Sequence, residues 1–83
     1  MFYVYIIRSL SSGKYYIGQT DNLENRIKRH NSGQSEYTRG KGPWELVYQK
    51  EYETRSDALK EESRIKMKKS RKYIEYLIQS SNG

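Results

Sequence analysis

The sequence predicts a small α+β domain, and three observations predict it. Residues 2–8 and 14–19 are rich in β-branched and aromatic side chains and flank a polar stretch ending in glycine, Ser9-Leu10-Ser11-Ser12-Gly13. Two such runs around a short glycine-bearing loop read as a β-hairpin. A third run, Trp44-Glu45-Leu46-Val47-Tyr48-Gln49-Lys50, alternates apolar and polar and reads as another strand. Between and after the strands, polar capping residues precede segments whose apolar residues recur at helical spacing. With 83 residues the chain has room for one domain and one modest core. A domain of that size buries only roughly 60–65% of its unfolded surface, so a polar group on an inward position carries information. Residues 1–79 are expected to form this single domain and residues 80–83 a flexible tail.

The hairpin carries two tyrosine runs, Tyr3-Val4-Tyr5 and Tyr16-Ile17-Gly18. A loop closed over residues 9–12 sets Arg8 opposite Gly13, Tyr5 opposite Tyr16 and Tyr3 opposite Gly18. Residues directly opposite in an antiparallel pair share a face. Two phenol hydroxyls then project from one side, with Gly18 leaving open space beside them. A two-residue slip keeps Tyr5 and Tyr16 together.

Thr20-Asp21-Asn22 suits a helix start, and Asn31-Ser32-Gly33 a stop. Within that helix Leu23, Arg26, Ile27 and His30 fall in one arc of roughly 100°. Residues 34–43 form a polar connection carrying Arg39 and Lys41, a kind of loop that often touches ligands. Trp44 is expected to anchor the core. Thr54 opens another helix, whose apolar face is defined by Ala58, Leu59 and Ile65. Glu62 falls in the middle of that face. Desolvating a carboxylate costs several kcal/mol, so an inward one needs a partner; an internal salt bridge with Arg or Lys is the plain alternative to a functional role. Lys66, Lys68, Lys69, Arg71 and Lys72 cluster around Ser70, which can cap a last helix with Tyr73, Ile74 and Leu77 inward.

Sixteen Lys and Arg against ten Asp and Glu leave a formal charge of +6, a balance that favours polyanionic partners, nucleic acid before an anionic membrane. The absence of cysteine excludes a disulfide framework and a thiolate zinc site. The apolar start is too short to span a bilayer and lacks a basic leader and a cleavage site, so a cytoplasmic protein is expected. Nine tyrosines supply much of the packing area with amphipathic rings.

Tyr5, Tyr16, Arg26, His30 and Glu62 are thus the polar groups on inward or pocket-facing positions. Their order along the chain resembles the GIY-YIG nuclease superfamily. Tyr3-Val4-Tyr5 and Tyr16-Ile17-Gly18 match its two naming motifs. Gln19-Thr20, Asn22-Leu23, Arg26, His30-Asn31-Ser32-Gly33, Gly42-Pro43-Trp44, Leu46-Val47-Tyr48, Ala58-Leu59, Glu62 and Ile65-Lys66 continue the series. The sequence is most similar to the small single-domain bacterial branch and resembles the amino-terminal nuclease domain of excinuclease C. That likeness implies a three-stranded antiparallel sheet flanked by helices, metal-dependent hydrolysis of phosphodiesters, DNA before RNA, and DNA repair as a setting.

The resemblance also implies roles. Tyr5 matches the base or relay for the attacking water, and Tyr16 the hydroxyl that hydrogen-bonds phosphate or water. Arg26 matches the arginine on the scissile phosphate, and His30 an assistant in proton transfer. Glu62 matches the carboxylate that holds one divalent cation, Mg2+ or Mn2+. Arg39, Lys41, Lys66 and Lys69 are the expected contacts to the nucleic acid. The chemistry suits these residue types: charge builds on phosphoryl oxygens, which an arginine and a cation stabilise. Magnesium keeps several waters, so one carboxylate can anchor it. A tyrosine of ordinary pKa, near 10, is too weakly ionised to be an efficient base at neutral pH without help. Two departures stand out: Tyr3 replaces the glycine of the first motif, and the asparagine that follows the metal glutamate in many relatives has only Asn82 as a counterpart. A non-catalytic nucleic-acid-binding module and a protein-interaction domain are the alternatives, and no membrane association is expected. The sequence names no protein partner.

Overall fold

The apolar run at the start of the chain becomes the central strand, and the rest of the sheet assembles on its two edges. In the computed structural model, which describes residues 1–82, β1 (Phe2–Ser9) pairs antiparallel with β2 (Tyr15–Thr20) on one side. On its other side β1 pairs antiparallel with β3 (Trp44–Tyr52), giving the order β2-β1-β3. The central strand is covered on both faces, and Val4, Tyr5, Ile6 and Ile7 have no exposed surface. The sheet is antiparallel and three-stranded with helices on both sides, the α+β architecture read from the sequence.

Strand alternation divides the core in two. On one face Tyr5, Ile7 and Trp44 pack with Leu23 and Ile27 of α1 (Leu23–Asn31). On the other, Val4 packs with Ala58 and Ile65 of α2 (Arg55–Lys68) and with Tyr73, Ile74 and Leu77 of α3 (Arg71–Asn82). Each helix starts on a side-chain cap, as the capping residues in the sequence imply. Asn22 Oδ1 accepts from Asn25 N at 3.1 Å, Thr54 Oγ1 from Asp57 N at 3.1 Å, and Ser70 Oγ from Tyr73 N at 3.1 Å.

Four expectations are corrected. The hairpin register is shifted by two residues: Tyr5 lies opposite Gly18, Ile7 opposite Tyr16 and Arg8 opposite Tyr15. The turn is longer because Ser9 N donates to Lys14 O and Gly13 N to Ser9 O, both at 2.8 Å, with Gly13 at φ +76°. Ser9, fully buried, fixes this closure by donating its hydroxyl to Lys41 O at 2.7 Å. Tyr5 and Tyr16 keep the same face. Second, Leu59 is not part of the inward face; it is 43% exposed. The sheet covers only the narrow stripe of Ala58 and Ile65, and α3 covers its flank instead of Leu59's. Third, α3 runs through Asn82, so residues 80–82 continue the helix where a tail is expected. Ser81 donates its hydroxyl to Ile78 O at 3.0 Å, and Ile78 keeps the last turn half-buried. Gly83 lies outside the described residues. Fourth, Gly18 does not border open space, because the Tyr5 ring fills it. Among the described residues no helix is long and apolar enough to cross a membrane.

The difference between Ile65 and Leu59 is testable. Ile65→Ala removes a side chain exposed by only 1% and should cost about 2–5 kcal/mol. Leu59→Ala, on the exposed flank, should change stability by no more than about 0.5 kcal/mol. Denaturant melts of both variants check this; equal losses would mean that α2 sits on the sheet in a different rotation.

Candidate active site

A buried hydrogen-bonded chain lies on the α1 face of the sheet. The Tyr5 hydroxyl lies 2.9 Å from His30 Nε2, and His30 Nδ1 lies 2.8 Å from Thr38 Oγ1. All three side chains are buried, at 0%, 2% and 1% exposure. Central-strand placement fixes Tyr5, the last turn of α1 fixes His30, and the connection before β3 folds Thr38 over the ring. Proton positions follow from the order of partners. Thr38 donates to Ser35 O, at a long 3.5 Å, and so accepts from His30 Nδ1–H. His30 Nε2 is then the bare nitrogen, and Tyr5 donates to it.

Electrostatics reinforce that arrangement. Burial pushes the Tyr5 phenol well above its ordinary value of 10, Tyr16 and the Glu62 carboxylate add to the rise, and the Arg26 guanidinium partly offsets it. Burial, with the charges of Arg26 and Arg29, holds His30 below its ordinary 6.5. At neutral pH both groups are uncharged, Tyr5 as donor and His30 as acceptor.

Gly18 makes the position of Tyr5 possible. A Cβ on Gly18 would stand 2.5 Å from the Tyr5 hydroxyl and 2.7 Å from Cζ. The hydroxyl thus reaches across β1 to β2, which is an edge strand. There it meets Tyr16, whose half-buried ring is 6.4 Å from that of Tyr5 and packs edge-on against His30 at 4.9 Å. Tyr37 covers Tyr16 from outside, 5.4 Å between centroids, with Lys41 Nζ 4.2 Å over its own ring. Tyr16 is the tyrosine of the pair that reaches the surface.

Glu62 approaches from elsewhere. The core residues of its helix, α2, pack on the face opposite Tyr5. The carboxylate is nevertheless close enough for its charge to act on the Tyr5 hydroxyl. The side chain is 16% exposed and accepts from Lys66 Nζ at 2.7 Å, while Lys66 is 52% exposed. Its neighbour Glu61 is taken by the Arg64 guanidinium, which donates from Nε and a terminal nitrogen. Tyr5, Tyr16 and His30 thus form one contact cluster with Arg26 beside it. Glu62 joins that cluster through its field, without a hydrogen bond to the other four.

Of the expected nucleic-acid contacts, Arg39 donates from Nε to Gly33 O at 3.0 Å and Lys41 lies over Tyr37. Lys66 is held by Glu62. Lys69, the left-handed cap of α2 at φ 48°, lines a cleft beside β2. Thr38 and Tyr37 are absent from the residues that the sequence singles out. Both sit in an irregular connection, where no periodicity marks an inward residue; the one available signal is a hydroxyl and a tyrosine amid charged neighbours.

No cluster of three or more His, Asp or Glu that could hold a metal ion occurs among the described residues. A single half-buried carboxylate suits a hard cation that keeps waters and takes its remaining oxygens from a phosphate, the habit of Mg2+. Lys66, exposed and flexible, can yield its place.

Comparison with known proteins gives a consistent result. The family described as the GIY-YIG catalytic domain matches residues 1–74. A UPF0213 protein of Oceanobacillus iheyensis is 46% identical over 65 residues, covering 77% of this chain and 74% of the relative. A UPF0213 protein of Staphylococcus aureus is 45% identical over 65 residues, covering 77% and 78%. The solution NMR structure of a UPF0213 protein from Bacillus halodurans superposes with a TM-score of 0.63 at 36% identity, covering 100% of this chain and 88% of that one.

The buried chain has measurable consequences. His30 should titrate below 6.5 and show the Nδ1–H tautomer by nitrogen NMR at neutral pH. Because its folded pKa lies below the unfolded one, its contribution to stability is complete above about pH 6.5 and declines as pH falls below that. Melts of the wild type and His30→Gln should therefore converge on acidification; a gap that widens would reverse the assignment. Gly18→Ala should cost about 1–3 kcal/mol through overpacking against Tyr5. A melt showing no loss would mean that the Tyr5 ring is free to leave.

Proposed function

The chain belongs to the GIY-YIG catalytic-domain family, within its small UPF0213 branch, and on that premise we propose that it is a metal-dependent endonuclease that hydrolyses phosphodiesters in nucleic acid, DNA before RNA. The observation that carries this reading is the Tyr5–His30–Thr38 chain packed beside the half-buried ring of Tyr16. A fold that needed only a filled core would place Phe, not Tyr, at a position without solvent access.

Arg26 binds the scissile phosphate and stabilises the charge that builds on its oxygens. Tyr16, the more accessible of the two tyrosines, orients the attacking water. Tyr5 acts as a relay and not as the direct base, since it is fully buried and its phenol is pushed upward. It accepts, on the side of Tyr16, the proton that the attacking water releases and passes its own to His30 Nε2. His30 is a weak acceptor in the free protein because burial and two arginines hold it down. A phosphate against Arg26 offsets part of that cationic field, so His30 gains basicity when substrate is bound. Thr38 keeps Nε2 bare and aimed at Tyr5. Glu62 would hold a divalent cation of the Mg2+ kind, which when bound supplies Lewis-acid stabilisation of the phosphoryl oxygens.

The Lys66–Glu62 pair favours a second reading, a module that binds nucleic acid without cutting it. Glu62→Gln separates the two. A surface-type pair contributes about 0–1 kcal/mol, so the variant should melt within that margin of the wild type. Binding should persist or tighten, because a negative charge near phosphate is gone. Cleavage of labelled DNA and RNA with Mg2+ or Mn2+ should be lost, as it should in wild type with chelator and, by about 10²–10³-fold, in Tyr16→Phe. Wild-type protein that binds these substrates and cuts none would establish the second reading instead.

A further inference from the structure

A cationic cleft lies outside the buried chain. A cleft of about 290 Å³ curls round the free edge of β2, from Tyr37 on the α1 face to the junction of α2 and α3 on the other. Its charged lining is entirely cationic: Lys14, Lys66, Lys69 and Arg71, with no carboxylate among the lining residues. Lys66 and Arg71 are engaged, by Glu62 at 2.7 Å and Glu75 at 3.2 Å. Among the described residues Lys14 and Lys69 make no ion pair, and both are exposed. The cleft opens directly onto the candidate site, since Tyr37 packs on Tyr16 and Lys66 on Glu62.

Two properties of the lining select an occupant. Unpaired ammonium groups in a lining that holds no carboxylate call for an anion, and a chain of net charge +6 favours the phosphate of a polyanion. Tyr37, 59% exposed, is a large aromatic ring held by Tyr16 behind it instead of being buried in the core. Exposed aromatic rings next to cations are the means by which proteins hold unpaired bases, because every base has a π-face. Lys41 is the group that must move off the ring, and it sits on a flexible stem that can follow the phosphate. The volume, at the small end of ligand-sized cavities, admits one nucleotide.

We propose that this cleft is a nucleotide subsite, in which Lys14 and Lys69 hold the phosphate next to the scissile one and Tyr37 stacks its base, so that the protein selects nucleic acid unpaired at that nucleotide. The position relative to the scissile phosphate rests on the hydrolytic reading; the subsite itself does not. A base in a duplex is stacked on its neighbours and cannot reach Tyr37 without being pulled out, which sets an unstacking penalty against duplex binding.

The test is binding of the full chain to a fluorescent ten-nucleotide single strand and to its duplex, in chelator so that no cutting intervenes. The single strand should bind more tightly. Replacing Lys14 and Lys69 together by Gln should lower the slope of log affinity against log salt by about 0.7 for each lysine. Tyr37→Leu, which keeps a packing surface on Tyr16, should weaken single-strand binding about 5- to 150-fold, and Tyr37→Phe should restore it. Equal affinity for both substrates, an unchanged salt slope, or a Leu variant that binds like wild type would each overturn the subsite. Single-strand binding with these signatures but no cleavage on adding Mg2+ or Mn2+ would support the subsite while removing the hydrolytic reading. Cleavage that proceeds with none of the variant effects would do the reverse.

Discussion

The structure turns on the contact between the Tyr5 ring and the bare backbone of Gly18. A fully buried phenol in the central strand of a three-stranded sheet has few ways to satisfy its hydroxyl, because backbone groups on either side are committed to the ladders. Crossing over a residue without a Cβ lets the ring lie flat on the sheet and carries the hydroxyl out from under α1 toward the edge strand. His30 then meets it at 2.9 Å, and the rest of the buried chain follows from that meeting. The Tyr5 ring fills the space at Gly18, and Tyr16, two residues away on the same face of β2, stays half-buried. One sinks and the other surfaces.

That division explains why two tyrosines in similar motifs acquire different chemistry. Tyr5 loses water and its acidity with it; Tyr16 keeps a half-open position. The imidazole between them is kept neutral by the same burial and by cations on its own helix, Arg26 and Arg29. Neutral groups linked in one donor direction cost little to bury, whereas a charged pair at that depth would carry a desolvation penalty of several kcal/mol. A domain this small can hold its polar machinery inside only in that uncharged form. The charges, Arg26, Glu62 and the lysines, remain at half-buried or exposed positions around it.

Much of this is legible in the sequence, and the illegible part has a physical pattern. Strand parity puts Tyr5 and Tyr16 on one face without the register being right, because a two-residue slip preserves parity. Helical phasing puts His30 and Ile27 on the inward side of α1, and capping residues mark the helix starts. What fails depends on contacts outside any single element. The loop closure is decided by the Ser9 hydroxyl reaching Lys41, 32 residues away. Leu59 and Glu62 share an arc with Ala58, and only the position of α3 decides which flank is covered. Thr38 becomes part of the buried chain because an irregular connection folds back over His30, a placement that no periodicity encodes.

The edge position of β2 is what lets both faces of the sheet serve one site. Helices on opposite faces cannot ordinarily do so, since the sheet separates them by its own thickness and packing distance, about 10 Å on each side. At an edge that separation ends. Tyr5 reaches the edge from one face across Gly18, and Glu62 acts on it from the other face, while Tyr37 and the α2–α3 junction meet in a cleft around the strand. An exposed strand edge is usually a hazard, open to pairing with another chain. Here lysines, an arginine and a tyrosine from both faces wrap that edge. The same side chains that discourage a second strand from adding to β2 give the edge its cationic lining, so protection of the fold and the polyanion binding proposed above would draw on one set of residues.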